Sequence, residues 1–273
     1  MSSTVGIGYS NLIDAATLSG SGWASEYPIT NLQDRRLWTY ARTSGSSADI
    51  VIDHGSAKTM RIFGLVGHNL GAGDTITVTA GTTSGGIEVY EGSALSCWPF
   101  TPFDYDGGHF GVWVVLPQDI SARYARMQVA GSGIIRVSRA VCCPALMFDY
   151  APPYGRISDG WRDPNSTVER GDSGADSGWK RREQRHVPYD LSAITPESAS
   201  LLHEILRTHS IVDEVVHVAS SHDRAVQQQF GFLGTLRALG ALENPFYGHR
   251  GMAVAIDERG GAQHGVHAEA GGD

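Results

Sequence analysis

The chain has 273 residues, a formal net charge of −8, and 41% apolar and 18% charged residues. A chain of this length forms one large domain or two ordinary ones. The acidic balance argues against nucleic-acid binding, because neutralising phosphates requires clustered Lys and Arg. The basic cluster at residues 180–182, with Arg185, is interpreted instead as a solvated strand edge.

No apolar run approaches the roughly 20 residues that span a membrane, and the N-terminus lacks the pattern of a secretory signal. The three cysteines, Cys97, Cys142 and Cys143, do not make a disulfide framework. Adjacent Cys142 and Cys143 point to opposite faces of a strand, as reduced core residues do. We therefore expect a chain that folds in a cytoplasm with free thiols.

The first feature in chain order is an aromatic segment that precedes the strands. Trp23, Pro28 and Asn31 belong to it, together with Tyr27 and Trp38. The segment is too polar for a core strand and too aromatic for a linker. It predicts a wandering loop that closes one end of a β-sandwich.

Short alternating runs follow from residue 49 to about residue 141. Ile50 and Ile52 share one face, Ile76 and Val78 repeat the pattern, and residues 60–66 are apolar on both faces. Period-two alternation separated by Gly, Ser, Asp and Pro is typical of antiparallel sandwiches. Residues 1–148 are predicted to form an antiparallel β-sandwich.

The stretch GLVGHNLGAGDTITVTAG, residues 64–81, raises a choice between a site and a turn. His68 and Asn69 stand where one strand ends, before Gly71 and Gly73 reverse the chain. Asn tolerates the left-handed conformation and Gly allows positive φ. We interpret His68 and Asn69 as structural residues that satisfy neighbouring backbone groups, with a ligand role as the alternative.

The sequence pattern changes around the proline pair at residues 152–153. Residues 149–258 are predicted to form a smaller α+β unit that is β-barrel-like with one helix. Thr195 is predicted as the N-cap of that helix and Pro196 as its first residue. Leu201, Leu202, Ile205 and Leu206 form its apolar stripe. Residues 259–273 are too polar to fold and are predicted to be a disordered tail.

An aromatic and acidic loop between residues 98 and 106 is the candidate ligand or partner contact. Its members are Trp98, Phe100, Phe103, Asp104, Tyr105 and Asp106. Aromatic side chains mixed with carboxylates are the makeup of a saccharide-contacting rim, and the same loop would suit a protein contact or a hydrophobic lid. Asp104, Asp106 and His68 are the only candidates for a hydrolase reading.

The eleven histidines match no metal-ligand spacing, so no metal is predicted. His217 and His222 flank a turn and are interpreted as solvated hairpin residues. No phosphate-binding or dinucleotide fingerprint is present, and we expect neither a cofactor nor catalytic residues.

The order of motifs resembles a known family. Trp23…Tyr27-Pro28…Asn31-Leu32, then IVIDHG at residues 50–55 and GLVGHNL at residues 64–70, is similar to the discoidin-like jelly-roll modules of tailed-bacteriophage tail-tip proteins. WKRREQRHVPYDLSAITPESASLLHEIL, residues 179–206, is similar to a sequence of distal tail and baseplate-hub β-barrels.

The resemblance implies that the sandwich of residues 1–148 is a jelly roll of the galactose-binding or discoidin-like type. It also implies a virion structural protein and no enzyme. Its expected role is a homo-oligomeric ring, a hexamer in preference to a trimer, that links the tail tube to the tip hub. Its partners would be further copies of itself, tail-tube proteins and baseplate-hub proteins, and its location would be the virion tail tip after assembly in the host cytoplasm. The alternative is a receptor-binding module for host surface saccharide, and the third reading is a virion-associated glycan hydrolase.

Overall fold

The computed structural model describes residues 5–99, 111–148, 160–162, 167–170, 176–179, 184–209, 211–239, 243–246 and 249–259. The predicted fold class is confirmed, because the described chain is mainly antiparallel β-strand with two α-helices and two 3-10 helices.

The strands are β1 Gly6–Gly8, β2 Thr17–Ser19, β3 Ala41–Arg42, β4 Ser47–His68, β5 Thr75–Gly81, β6 Tyr90–Glu91, β7 Leu95–Ser96, β8 Gly111–Ala130, β9 Arg136–Cys143, β10 Ala145–Met147, β11 Gly160–Arg162, β12 Thr167–Arg170, β13 Asp176–Trp179, β14 Gln184–Ile194, β15 Glu214–Val218, β16 Phe232–Leu239, β17 Glu243–Phe246 and β18 His249–Glu258. The helices are α1 Pro196–Thr208 and α2 Arg224–Phe230, and the 3-10 helices span Leu12–Ala15 and Ile29–Gln33.

The first eight-stranded sheet, called the sandwich sheet here, has the order β3-β9-β4-β8-β5-β6, with β2 on β4 and β7 on β5. Two long strands, β4 and β8, pair along most of their length with register shifts near residues 53–62. The sheet encloses a core to which Ile50, Ile52, Ile76 and Val78 contribute, as their alternation predicts. The sequence predicts two strands where the structure has the single strand β4, because polar residues interrupt its middle.

The second eight-stranded sheet has the order β10-β1-β15-β16-β18-β14-β11, with β17 on β18, and β12 and β13 form a separate pair. Both of its faces are covered. Val215 and Phe232 belong to the cluster that includes Leu202 and Ile205 of α1. Val216 belongs to a further cluster shared with the outer face of the sandwich sheet. Covering both faces explains why every residue of β15 is buried.

Strand pairing crosses the predicted boundary between residues 148 and 149. Strands β1 and β10 lie before that boundary in the chain, yet they pair with each other, and β1 pairs with β15. The division into two units stays a prediction. The physical reason is that the backbone N–H and C=O groups of a strand must find hydrogen-bond partners. They pair with the strand that lies beside them, however distant it is in sequence.

The positive φ expected at a glycine of the turn after β4 occurs instead near the end of β4 itself. Positive φ occurs at Gly67, at +65°, and at neither Gly71 nor Gly73. Gly64 is required for space, because a Cβ there would lie 2.4 Å from the ring of Trp113 on the paired strand.

The predicted helix is confirmed as α1, where the Thr195 hydroxyl accepts a hydrogen bond from the Ser198 N–H at 3.3 Å. Leu202 and Ile205 are buried, whereas Leu201 is 38% exposed and does not belong to the buried stripe. The expectation of one helix was wrong, because α2 also forms. Its sequence RAVQQQF carries no apolar stripe, and Asp223 caps it through the N–H groups of Ala225 and Val226.

Two residues expected at the solvated surface are buried in the second sheet. Arg185 is ion-paired with Glu258 at 2.6 Å and lies 5.0 Å from the ring centre of Phe232. His217 is 1% exposed and is hydrogen-bonded to the Tyr189 hydroxyl. Their polarity predicts exposure to solvent. Each instead has a polar partner inside the fold, which the sequence does not reveal.

A buried ion pair joins the two sheets. Arg139 of β9 is fully buried and contacts Glu214 of β15 at 2.6 Å. The same guanidinium is bonded to Asp14, and Glu214 is also bonded to Arg259. Arg259, which was assigned to the disordered tail, is therefore held in the fold, while residues 260–273 lie outside the described residues.

Apolar residues lie on the same face of each strand as the charged residues of the ion pair. Val141 and Cys143 follow Arg139 at two-residue steps on β9, and Val216 and Val218 follow Glu214 in the same way on β15. All four apolar residues belong to the cluster between the sheets. Because side chains two apart share a face of a strand, one docking arrangement satisfies both the charges and the apolar contacts.

Replacing Arg139 with Met should lower the free energy of unfolding by about 3 kcal/mol, since the buried Glu214 carboxylate loses its buried partner and keeps only the partly exposed Arg259. Urea denaturation measures this. The matched control is Arg207→Met, which breaks an exposed pair with Glu204 and should cost less than about 1 kcal/mol. Equal losses in the two variants would contradict the role assigned to the buried pair.

Candidate functional site

Aromatic and arginine side chains form a layered stack at one end of the sandwich sheet. The rings of Tyr27 and Tyr40 are parallel within 9°, with centroids 5.0 Å apart. The guanidinium of Arg42 lies 4.5 Å from the Tyr27 centroid, and that of Arg136 lies 5.8 Å from the Tyr40 centroid. Such cation–π contacts hold the guanidinium groups at fixed positions.

The backbone around the stack is fixed by amide side chains that the sequence marked as structural. Asn31 Nδ2 donates to the Tyr40 carbonyl at 2.9 Å. Asn69 bridges the next turn, donating to the Ile134 carbonyl at 2.9 Å and accepting from the Arg136 N–H at 2.7 Å. Two asparagines therefore position the two halves of the stack.

Trp38 is the largest exposed aromatic residue of the described chain, with 58% of its surface accessible. The Arg36 guanidinium lies 5.9 Å from its ring centroid, and Arg36 is held by Asp34 at 2.7 Å. The Arg36 hydrogen bonds keep the pKa of Asp34 well below its usual range, so this carboxylate is ionised at neutral pH. We call the following set the aromatic loop surface: Tyr27, Arg36, Trp38, Tyr40, Arg42 and Arg136.

The other motif residues of the sequence have structural contacts. Trp23 Nε1 donates to the Asp49 carbonyl at 2.8 Å, and Pro28 precedes the second 3-10 helix as its N-cap. His68 is 3% exposed, and its Nδ1 accepts from the Leu70 N–H at 3.1 Å. Burial lowers the pKa of His68 to about 4. His68 thus binds the backbone of the turn that follows it and is not accessible to a surface ligand.

The sequence-predicted contact loop lies largely outside the described residues, which include Trp98 but none of Phe100, Phe103, Asp104, Tyr105 and Asp106. Trp98 is 9% exposed and so offers little surface to a ligand. Beside it, the Cys97 carbonyl accepts from Gln228 Nε2 at 3.2 Å. The role of this loop stays a prediction.

The sequence predicts that the aromatics between residues 23 and 42 close one end of the sandwich, and it does not reveal that Trp38 is exposed. The available signal is the density of Trp, Tyr and Arg in a segment without strand alternation. Arg136 completes the stack at Tyr40 from more than ninety residues away, and no local pattern reveals that contact.

Among the described residues no group of three or more His, Cys, Asp or Glu side chains is arranged to hold a metal ion. In that same part of the chain no helix has the length and apolar character needed to cross a membrane.

No protein-family model and no curated protein matches this chain. Several solved structures are similar to about half of it. Chitosan-binding module 1 of a chitosanase/glucanase from Paenibacillus sp. IK-5 is 14% identical, over 50% of this chain and 100% of the module, with a TM-score of 0.36.

The lectin binding domain of lectinolysin, solved with Lewis b, is 14% identical over 49% of this chain and 95% of its own, with a TM-score of 0.37. CBM32-1 of a family 31 glycoside hydrolase from Clostridium perfringens is 14% identical over 50% of this chain and 99% of its own, with a TM-score of 0.37. The chain spans 28% of the length of SpGH29, to which it is 15% identical with a TM-score of 0.37. Likenesses this distant say nothing about what this chain binds.

The two buried histidines predict a loss of stability in acid. Burial lowers the pKa of His68 to about 4 and, together with Arg185, that of His217 to about 3. The unfolded chain takes up protons near pH 6.5 while the folded chain does not. The free energy of unfolding therefore falls as the pH drops below about 6.5, by about 1 kcal/mol per pH unit for each histidine.

Urea denaturation between pH 7 and pH 4.5 measures this slope. His68→Gln should reduce it by roughly half, and the exposed His203→Gln serves as the control. A slope that His68→Gln leaves unchanged would contradict the assignment.

Proposed function

We propose that the aromatic loop surface binds saccharide, which corresponds to the receptor-binding alternative of the sequence analysis. The observation that supports it is the exposed Trp38, which lies over Arg36 and is two residues before Tyr40 of the tyrosine–arginine stack. The apolar C–H face of a sugar ring packs on an aromatic ring, while its hydroxyls require hydrogen-bond donors and acceptors close by. Arg36 and Asp34 supply both next to Trp38.

The composition of the surface favours a saccharide over a protein partner. Near the stack, Trp38 and Ile134 are the large apolar residues of the described chain that are exposed. A stable protein interface buries about 800 Å² per partner around an apolar centre. A single exposed indole next to the fixed polar side chains of Arg36 and Asp34 suits a ligand of one or two sugar units.

A glycan array probed with the purified chain tests the proposal. Trp38→Ala should weaken binding of the best-bound glycan about ten-fold or more, because the stacking contact is lost. The matched control is Tyr124→Ala, which removes another ring paired with an arginine, Arg123 at 4.8 Å, on β8. Absence of any bound glycan, or equal binding by wild type and Trp38→Ala, would count against the proposal.

The finer assignment to a bacteriophage tail tip stays a prediction from the sequence resemblance, as do the ring, its neighbours, its virion location and the absence of enzymatic activity. The mass of the purified chain in solution tests the ring directly. The resemblance predicts a hexamer in preference to a trimer, and a strictly monomeric chain at high concentration would contradict it.

A further inference from the structure

A second polar site lies at the junction of the two sheets, away from the aromatic loop surface. It is a cavity of about 500 Å³ that is open on one side. Its lining comes from distant parts of the chain, including Ser10, Arg35, His54, Lys58, His209 and Asp213. Binding sites for small molecules occupy volumes of about 300–1,000 Å³ and occur often where two units meet.

Most of the charge around this cavity is internally neutralised. Arg35 contacts Asp14 at 3.0 Å and Asp213 at 3.3 Å. Glu214 is neutralised by Arg139 and by Arg259. Three carboxylates are thereby matched by three guanidinium groups.

Lys58 also lines the cavity, and it takes no part in these ion pairs. Its side chain is exposed, and among the described residues its ammonium group has no hydrogen bond or ion pair. Burial lowers the pKa of the half-buried imidazole of His54, the neighbouring Asp53 carboxylate opposes this, and Lys58 adds a smaller lowering effect. Asp53 is itself paired with Arg123 at 2.8 Å.

The lining contributes three carboxylates and two cations, and the carboxylates are balanced only with Arg139 and Arg259 behind the lining, so that, in the described part of the chain, Lys58 carries the one positive charge around the cavity without a partner. A bound anion would be attracted to Lys58 and would favour protonated His54.

The opposite wall presents hydrogen-bonding groups held in place. Ser10 Oγ lies 2.8 Å from His209 Nε2, and Ser10 is the one non-glycine residue of the described chain with positive φ, at 53°. Such a backbone conformation is uncommon outside glycine and holds the hydroxyl in the cavity wall.

The end of α1 at this wall carries the partial negative charge of a helix C-terminus, which opposes an anion. Its last carbonyls are already bonded. Thr208 Oγ1 donates to the Glu204 carbonyl at 2.7 Å, and the His209 N–H donates to the Ile205 carbonyl at 2.8 Å. The helix end is thus partly neutralised, and Lys58 determines the sign of the cavity.

We infer that this cavity binds a small oxyanion, a carboxylate or a phosphate group, between Lys58 and His54 on one side and Ser10 and His209 on the other. The ligand would contact both sheets and so stabilise their junction. This site is independent of the saccharide proposal, because the two share no residue.

Isothermal titration with inorganic phosphate and with acetate, at constant ionic strength, tests the inference. Neither anion is a saccharide, so neither reports on the aromatic loop surface, and acetamide is the neutral comparison. The wild-type chain should show saturable binding of at least one anion and none of acetamide. Lys58→Gln should weaken that binding about ten-fold or more, because a charge-assisted contact is lost.

Arg237→Gln is the matched control, since it removes one exposed positive charge on β16, outside both the cavity lining and the aromatic loop surface. It should leave anion affinity within about two-fold, and Lys58→Gln should leave any glycan binding unchanged. The inference is overturned if neither anion binds, if acetamide binds equally, or if Lys58→Gln and Arg237→Gln have equal effects. Circular dichroism of each variant checks that it is folded.

Discussion

The burial of Arg139 is the constraint on which the arrangement of the two sheets depends. A guanidinium removed from water is tolerated only when carboxylates neutralise it and accept its hydrogen bonds. Glu214 does this from the second sheet, and Asp14 does it from the segment that precedes the sandwich strands. Sliding one sheet over the other would separate Arg139 from Glu214 and leave each with a single, partly exposed partner, so the ion pair favours one docking position.

That docking position places two sites at opposite ends of one strand. Arg136, at the start of β9, supports the aromatic loop surface, and Cys142, near its end, lies 3.9 Å from His54 at the cavity. Six residues of extended strand separate the two positions by about 20 Å. Burial raises the pKa of the Cys142 thiol well above its usual value, so this cysteine serves as a core residue and not as a reactive group.

Local patterns predicted what depends on neighbours in sequence. Alternation located the core faces of Ile50, Ile76 and Val78, and the Thr195-Pro196 pair located the start of α1. Contacts between distant residues were not predictable. His217 and Arg185 looked like surface residues because their partners, Tyr189 and Glu258, cannot be identified from spacing. The cavity was missed for the same reason, since its lining brings together residues from both ends of the chain with no motif.

If the ion pair and its apolar neighbours join the sheets, the two sheets should open as a single cooperative unit. Native-state hydrogen exchange of the backbone amides of β9 and β15 measures this directly. The account predicts the same opening free energy for both strands, equal to that of global unfolding. Exchange of β15 and β16 through a separate opening of lower free energy, while β9 stays protected, would contradict it.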